Sequence, residues 1–295
     1  MSGTEDEALL YQVASMYYER DLTQEQIGED LHFTRWKVGR LLAEARQAGI
    51  VRIQVVHPKS RMRGLEERLR DAFGLRDAVV VARGQTDDEE ALLARGLNPG
   101  WTHGVHVVQI NGGLSRSRRP SSAQDMASRI AHLGEGTLTV LPAPAIVEQE
   151  TTRRVLERDS AVADVLTQAA EADTVLFSPG AIGADSVLVG SGYLTAEDVE
   201  RLARAGAVGD VAGRFIGSRG EVIDQALDDR TLGLPLEALR RSPVSVAVAS
   251  GTAKHTVCAA VVTSGLCNTL ITDDHTASHL LNPASRERLS RKERP

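Results

Sequence analysis

Aromatic residues make up only 3% of this 295-residue chain, which has two cysteines and two tryptophans. Two cysteines exclude a disulfide framework. Cys258 and Cys267 sit in apolar segments and read as buried thiols in a reducing cytoplasm. No apolar run approaches the roughly 20 residues that span a bilayer. The N-terminus, MSGTEDEALL, is acidic, which is unlike a secretory signal. The expected location is therefore the cytoplasm, with no membrane partner. Signs of catalysis are equally sparse. No Ser-His-Asp or Cys-His order stands out, and His103 and His106 fall in a turn and a strand. His275 and His279 are spaced i, i+4 beside Asp273 and Asp274, but no third ligand is signposted, and a surface helix explains them better than zinc. No enzyme, metal or cofactor is expected.

What the chain does have is a basic stripe on an acidic protein. The whole carries a formal charge of −6, yet Thr34 to Arg63 holds eight Lys/Arg and one acid, Glu44. This stripe lies within the most strongly patterned stretch, Thr23 to Val56. Thr23 and Gln26 have capping-box spacing and start a helix over 24–31. His32 and Phe33 break it. Thr34 then caps a second helix, 35 to about 48, with Gly49 as its stop. Ile27, Leu31, Val38, Leu41, Leu42 and Ala45 fall on inward faces. Val51, Ile53 and Val55 then alternate with polar residues, as in the strand of a wing. In a helix-turn-helix the second helix enters the major groove and its N-terminal residues meet base edges. Here those residues are Thr34, Arg35, Trp36 and Lys37, with Arg40 one turn on. The partner this predicts is double-stranded operator DNA, whose phosphates account for the stripe.

Three regions follow from the pattern: a winged helix-turn-helix over 1–58, a linker helix within 59–76, and an α/β domain over 77–295. In the first, 5–20 reads as an amphipathic helix with Leu9, Leu10, Val13, Met16 and Tyr17 on its apolar stripe. In the second, 60–73 reads as a helix stopped by Gly74. In the third, strands are expected at 77–82, 105–110, 138–141, 174–177, 244–249 and 269–272. Helices are expected at 122–133, 148–156, 160–171, 195–205, 252–264 and 274–281. This alternation argues a largely parallel sheet. Glycine-rich turns end three strands: NGG at 111–113, SPGAIG at 178–183 and SGTAK at 250–254. Ligands of open α/β sheets sit at such strand ends, and turns feeding a helix offer N–H groups to an anion.

These features resemble the SorC family of bacterial sugar-responsive transcriptional regulators. TQEQIGEDLHFTRWKVGRLLAEARQAGIVRI carries the N-terminal likeness. VVQINGG, LPAPAIV, SGYLT, AGAVGDVAGRF and SGTAKHTVCAAVVTSGLCNTLITDDHTASHLL carry the longer C-terminal one. The resemblance implies a Rossmann-like, sugar-phosphate-isomerase-like α/β effector domain, a phosphorylated sugar that changes operator affinity, and homodimers or homotetramers. Two departures stand out. Gly39 replaces a serine frequent in the family's recognition helix; it costs up to about 1 kcal/mol against Ala and permits close approach to DNA. The family's strand and phosphate-holding loop before VVQINGG are missing from ARGLNPGWTHGVHVVQINGG.

For the effector, the remaining candidates are Asn111, Gly112 and Gly113 after a strand, Asp224 as a carboxylate for sugar hydroxyls, and Lys254 at a helix start. Arg214 is a lesser candidate. A helix N-terminus contributes roughly 0.3–1 kcal/mol to an exposed anion, whereas micromolar binding takes about 8 kcal/mol. Millimolar effector affinity is therefore expected, unless Trp101–Gly104 or a partner chain completes the site. Two alternatives stand beside this reading: a DNA-binding regulator with a degenerate, effector-independent α/β domain, and an isomerase-like enzyme.

The basic stripe yields a direct test. Gel-shift titration should show affinity for duplex DNA falling steeply with salt. Arg35→Ala or Lys37→Ala should weaken binding, by about 1–3 kcal/mol where the residue reads a base. Unchanged affinity for both variants on the native upstream region would remove this helix as the reader.

Overall fold

Two compact units, Met1–His57 and Pro58–Pro295, divide the chain. The structure is a computed structural model and describes residues 2–18, 22–47, 50–51, 61–82, 104–110, 122–184 and 186–283. The expected wing strand beyond Val51, the segment 83–103 and the NGG turn at Asn111–Gly113 lie outside the described residues.

The first unit contains α1 (Ser2–Tyr18), α2 (Gln24–Leu31) and α3 (Arg35–Gln47). The capping box forms: the Thr23 N–H donates to Gln26 Oε1 at 2.9 Å, and the Gln26 N–H donates to Thr23 Oγ1 at 3.3 Å. These bonds satisfy amides that the first turn of a helix leaves open. His32 ends α2 in the left-handed region at φ 56°, and the Phe33 N–H returns to the Gly28 carbonyl at 2.8 Å. Thr34 caps α3 by accepting the Lys37 N–H at 3.3 Å. Val13, Met16, Ile27, Val38, Leu41 and Leu42 form the core, with Leu9, Leu10, Tyr17, Leu31 and Phe33 packed around it. The inward faces are thus those expected from periodicity.

In the second unit, α4 (Arg63–Phe73) leads into β1 (Asp77–Val81). This helix, read from sequence as a linker, packs on β1 and on α13 (Asp274–Leu281). Its start is tied down as well. Arg61 bridges Val81, and the Met62 N–H donates to the Val80 carbonyl at 2.9 Å. Glu66 is buried and accepts Arg61 Nε at 2.9 Å, Arg61 Nη2 at 3.1 Å and the Val80 N–H at 3.0 Å. A buried carboxylate is tolerated only with such partners.

Six parallel strands appear where the sequence places them, but they form two sheets. One has the order β1, β9 (Thr269–Asp273), β8 (Val244–Ala249), β4 (Thr174–Phe177). The other pairs β2 (His106–Gln109) with β3 (Thr137–Val140). The runs DAVVV, VSVAVA and TLITD are nearly continuously buried, as strands covered on both faces must be. Helix α12 (His255–Thr263) is apolar on all sides, and Val257 to Val262 are buried in the main core. Cys258 and Cys267 are buried there with no disulfide joining them, and burial pushes the Cys267 thiol up to about 12. Helices α5 (Ser122–Leu133), α6 (Glu150–Leu156), α7 (Ser160–Ala170) and α9 (Ala196–Arg204) also match expectation.

A small antiparallel sheet was not anticipated. It pairs β5 (Gly180–Ala181) with β6 (Gly209–Val211) and β6 with β7 (Arg214–Ile216). Strands of two and three residues are too short to show a period. The same holds for helices α8 (Val187–Gly190), α10 (Gln225–Asp228) and α11 (Leu236–Arg241). No described helix is long and apolar enough to cross a membrane.

Gly28 is the tightest point of the first unit. A Cβ there would lie 2.7 Å from the Phe33 carbonyl oxygen, inside van der Waals contact. Gly28→Ala should lower stability by about 1–3 kcal/mol through overpacking. At Gly39 a Cβ would meet only the Gln24 side chain, at 3.4 Å. Gly39→Ala should therefore be neutral, or stabilise by up to about 1 kcal/mol through helix propensity. Urea denaturation followed by circular dichroism separates the two; equal midpoints for both variants would contradict the geometry.

Candidate DNA-reading helix and ligand site

The first turn of α3 presents the residues expected to face DNA. Thr34, Arg35, Trp36 and Arg40 are exposed and Lys37 is half-buried. Their environments differ. Thr34 Oγ1 accepts the Lys37 N–H as the helix cap, which leaves its O–H as a donor. The Lys37 ammonium lies 3.7 Å from the centroid of the Phe33 ring, a cation–π contact that draws it back along the turn. Arg40 pairs with Glu44 at 3.5 Å, an exposed i, i+4 contact of little energetic weight. Trp36 keeps 90% of its surface exposed.

In the second unit the carboxyl ends of β4 and β8 bring polar groups together. Ser178 follows β4, and Lys254 ends the short 3-10 turn Thr252–Lys254 after β8. The Lys254 ammonium donates to Ser178 Oγ at 2.9 Å. This loop is held open by Gly251, at φ 84°, whose N–H donates to Asp273 Oδ2 at 3.0 Å. The small antiparallel sheet adds Asp210, paired with Gly180 across β5 and β6. Asp210 Oδ2 accepts the Gly213 N–H at 3.0 Å. Gly180 makes room for the carboxylate, and Gly209 for the neighbouring strand. A Cβ on Gly180 would lie 2.0 Å from Asp210 Oδ1, and one on Gly209 would lie 2.3 Å from the Gly180 carbonyl oxygen.

Asp210 keeps a partly accessible face, yet protein surrounds its carboxyl closely. Burial pushes it up to about 6, against the Gly213 N–H and the Lys254 charge, which both favour the anion. The site thus combines a cation, a hydroxyl and a carboxyl that changes charge near neutrality. Such a set can bind an anion and hydroxyl groups in one ligand.

The structure distributes the sequence candidates unevenly. Lys254 is at this site. Asn111, Gly112 and Gly113 lie outside the described residues. Asp224 has both oxygens engaged: Oδ1 caps α10 through the Leu227 N–H at 3.0 Å, and Oδ2 accepts Arg201 Nη1 at 2.8 Å. The Arg201 bond holds its carboxyl below the usual range. These contacts give Asp224 a structural task. Arg214, the lesser candidate, is also structural. It is buried and donates to Leu234 O at 3.1 Å, Gly233 O at 3.2 Å and Asp228 Oδ1 at 2.6 Å. His279 stacks on His255, with ring centroids 4.2 Å apart. Sequence reasoning named the SPGAIG turn but not Ser178 as a candidate, and it passed over Asp210. The usable signal was GD in AGAVGDVAG, a carboxylate among glycines and small residues of the kind that allow close backbone approach.

Asp210 supplies a pH test. Its ordinary value is 3.8. Between roughly that pH and 6 the folded chain holds a proton that the unfolded chain has released, so stability falls as pH rises through this window and levels off above it. Asp210→Asn should remove this contribution. Relative to wild type, its urea midpoint should improve more at pH 7.5 than at pH 4. A constant difference across that range would refute the raised value.

Comparison with known proteins bears on both units. The family model described as "Putative sugar-binding domain" matches residues 91–282. Transcriptional regulator LsrR of Escherichia coli O9:H4 is 30% identical over 310 aligned positions, covering 95% of this chain and 96% of the relative. The deoxyribonucleoside regulator of Bacillus subtilis is 29% identical over 309 positions, covering 94% and 98%. Among solved structures, the full-length sorbitol operon regulator SorC of Klebsiella pneumoniae superposes with a TM-score of 0.65 at 23% identity, covering 94% of this chain and all of that one.

Proposed function

Since the chain belongs to the SorC family of sugar-binding transcriptional regulators, we propose that a phosphorylated sugar binds where Lys254, Ser178 and Asp210 converge and thereby changes operator affinity. The chain is a DNA-binding regulator controlled by a sugar metabolite. Its action is binding, not turnover. The phosphate and the placement of the site are our reading.

The observation that carries it is the Lys254–Ser178 contact at the carboxyl ends of adjacent parallel strands. Such strand ends are where open α/β sheets receive ligands. The Lys254 ammonium supplies a charge-assisted bond to a phosphate oxygen, and Ser178, which accepts from Lys254 through a lone pair, has a hydroxyl proton to donate. Asp210, when ionised, accepts from sugar hydroxyls. The NGG turn at Asn111, Gly112 and Gly113 remains a proposed contributor through its sequence pattern alone.

On the DNA side, Thr34, Arg35, Trp36, Lys37 and Arg40 are the proposed contacts, with α3 in the major groove. The functional unit is proposed to be a homodimer or homotetramer, because one such helix reads too short a site for useful specificity.

Calorimetry on the full chain with pentose and hexose phosphates tests the ligand site. A ligand is expected among them, with its unphosphorylated sugar binding more weakly. Lys254→Ala should lower affinity by about 1.5–3 kcal/mol, the range for a hydrogen bond to a charged group. A sugar phosphate bound equally well by wild type and Lys254→Ala would place the site elsewhere.

A further inference from the structure

Trp36 is the largest of the exposed apolar side chains among the described residues, and at 90% it is the most exposed of them. It sits in the first turn of α3, between Arg35 and Lys37. Leaving an indole in water forgoes the burial that would stabilise the fold, and the described core cluster beneath α3 does not include it.

We propose that Trp36 reads a thymine through its C5-methyl group in each half of the operator. This rests on α3 being the DNA-reading helix and adds which feature of the base edges it selects. The indole offers two flat apolar faces and a single N–H donor, with no acceptor. Polar base edges laid against those faces lose water without gaining a partner. In the major groove the thymine methyl is the apolar feature a side chain can meet. The surroundings carry the indole there. Arg35 and Arg40 flank it on the exposed surface, where phosphates line both sides of the groove. Lys37 leans back over Phe33 at 3.7 Å, and Thr34 caps the helix.

The test uses the full-length protein and duplexes selected from a random library. Wild type should select a thymine at one position of each half-site, and Trp36→Ala should lose that preference while keeping the same salt dependence. Replacing that thymine by deoxyuridine removes only the methyl group. Wild type should then bind at least about fivefold more weakly, the lower end of a specific base contact. Trp36→Ala should bind both duplexes equally. Equal wild-type affinity for thymine and deoxyuridine would overturn the proposal, as would a Trp36→Ala variant that keeps the thymine preference. A Trp36→Ala variant that loses its oligomeric state in light scattering would overturn it too, by assigning the indole to a protein interface. Arg35→Ala and Lys37→Ala separate the two readings. If they do not weaken binding, α3 is not the reader; if they do and the methyl group has no effect, only the role of Trp36 fails.

Discussion

Asp273 closes β9 with a carboxylate that has several donors and almost no solvent. Its Oδ1 accepts the Thr276 N–H at 2.8 Å; its Oδ2 accepts Thr276 Oγ1 at 2.7 Å and the Gly251 N–H at 3.0 Å. Burial works against its charge, but the Thr276 and Gly251 bonds outweigh it and hold the carboxyl below the ordinary range. One side chain therefore caps α13, anchors the turn that carries Lys254, and ends the strand in register with Val81 of β1. Val81 is in turn bridged by Arg61, which Glu66 holds. The turn that carries Lys254 and the start of α4 hang from neighbouring points at the carboxyl ends of β9 and β1.

Buried or half-buried charge recurs through the second unit, and the protein supplies partners for it. Glu66 receives Arg61 and a strand amide. Arg214 receives carbonyls from Leu234 and Gly233 and the Asp228 carboxylate. Asp224 receives Arg201 and a helix amide. Asp210 differs from Asp224: one backbone N–H and the Lys254 charge do not offset its burial, so its carboxyl is pushed up, whereas the Arg201 bond holds that of Asp224 down.

The first unit shows the complementary arrangement. Its apolar side chains are spent on a minimal core, and its caps fix where α3 begins. Gly28 lets α2 approach the Phe33 carbonyl closely enough for the tight turn. What remains on the outer face of the first turns of α3 is mainly cationic, with one indole among the charges.

Much of this was legible in the sequence because it is local. The capping box at Thr23, the Thr34 cap, the apolar faces of α2 and α3, and the parallel strands announce themselves through periods and caps, which depend on residues a few positions apart. Family membership was legible for a related reason, since long motifs in a fixed order specify a fold. The candidate ligand site was only partly legible. Lys254 stood out as a cation at a glycine-rich strand end, but Asp224 and Asp210 are equally plain aspartates in the chain. Only the tertiary structure gives Asp224 to Arg201 and sets Asp210 against Gly180, 30 residues away in sequence, at the level of Lys254. The division of the parallel strands into two sheets was likewise decided in three dimensions. Hydrogen-bond partners across such distances follow from the packing of whole elements, whereas caps and periods follow from neighbours along the chain.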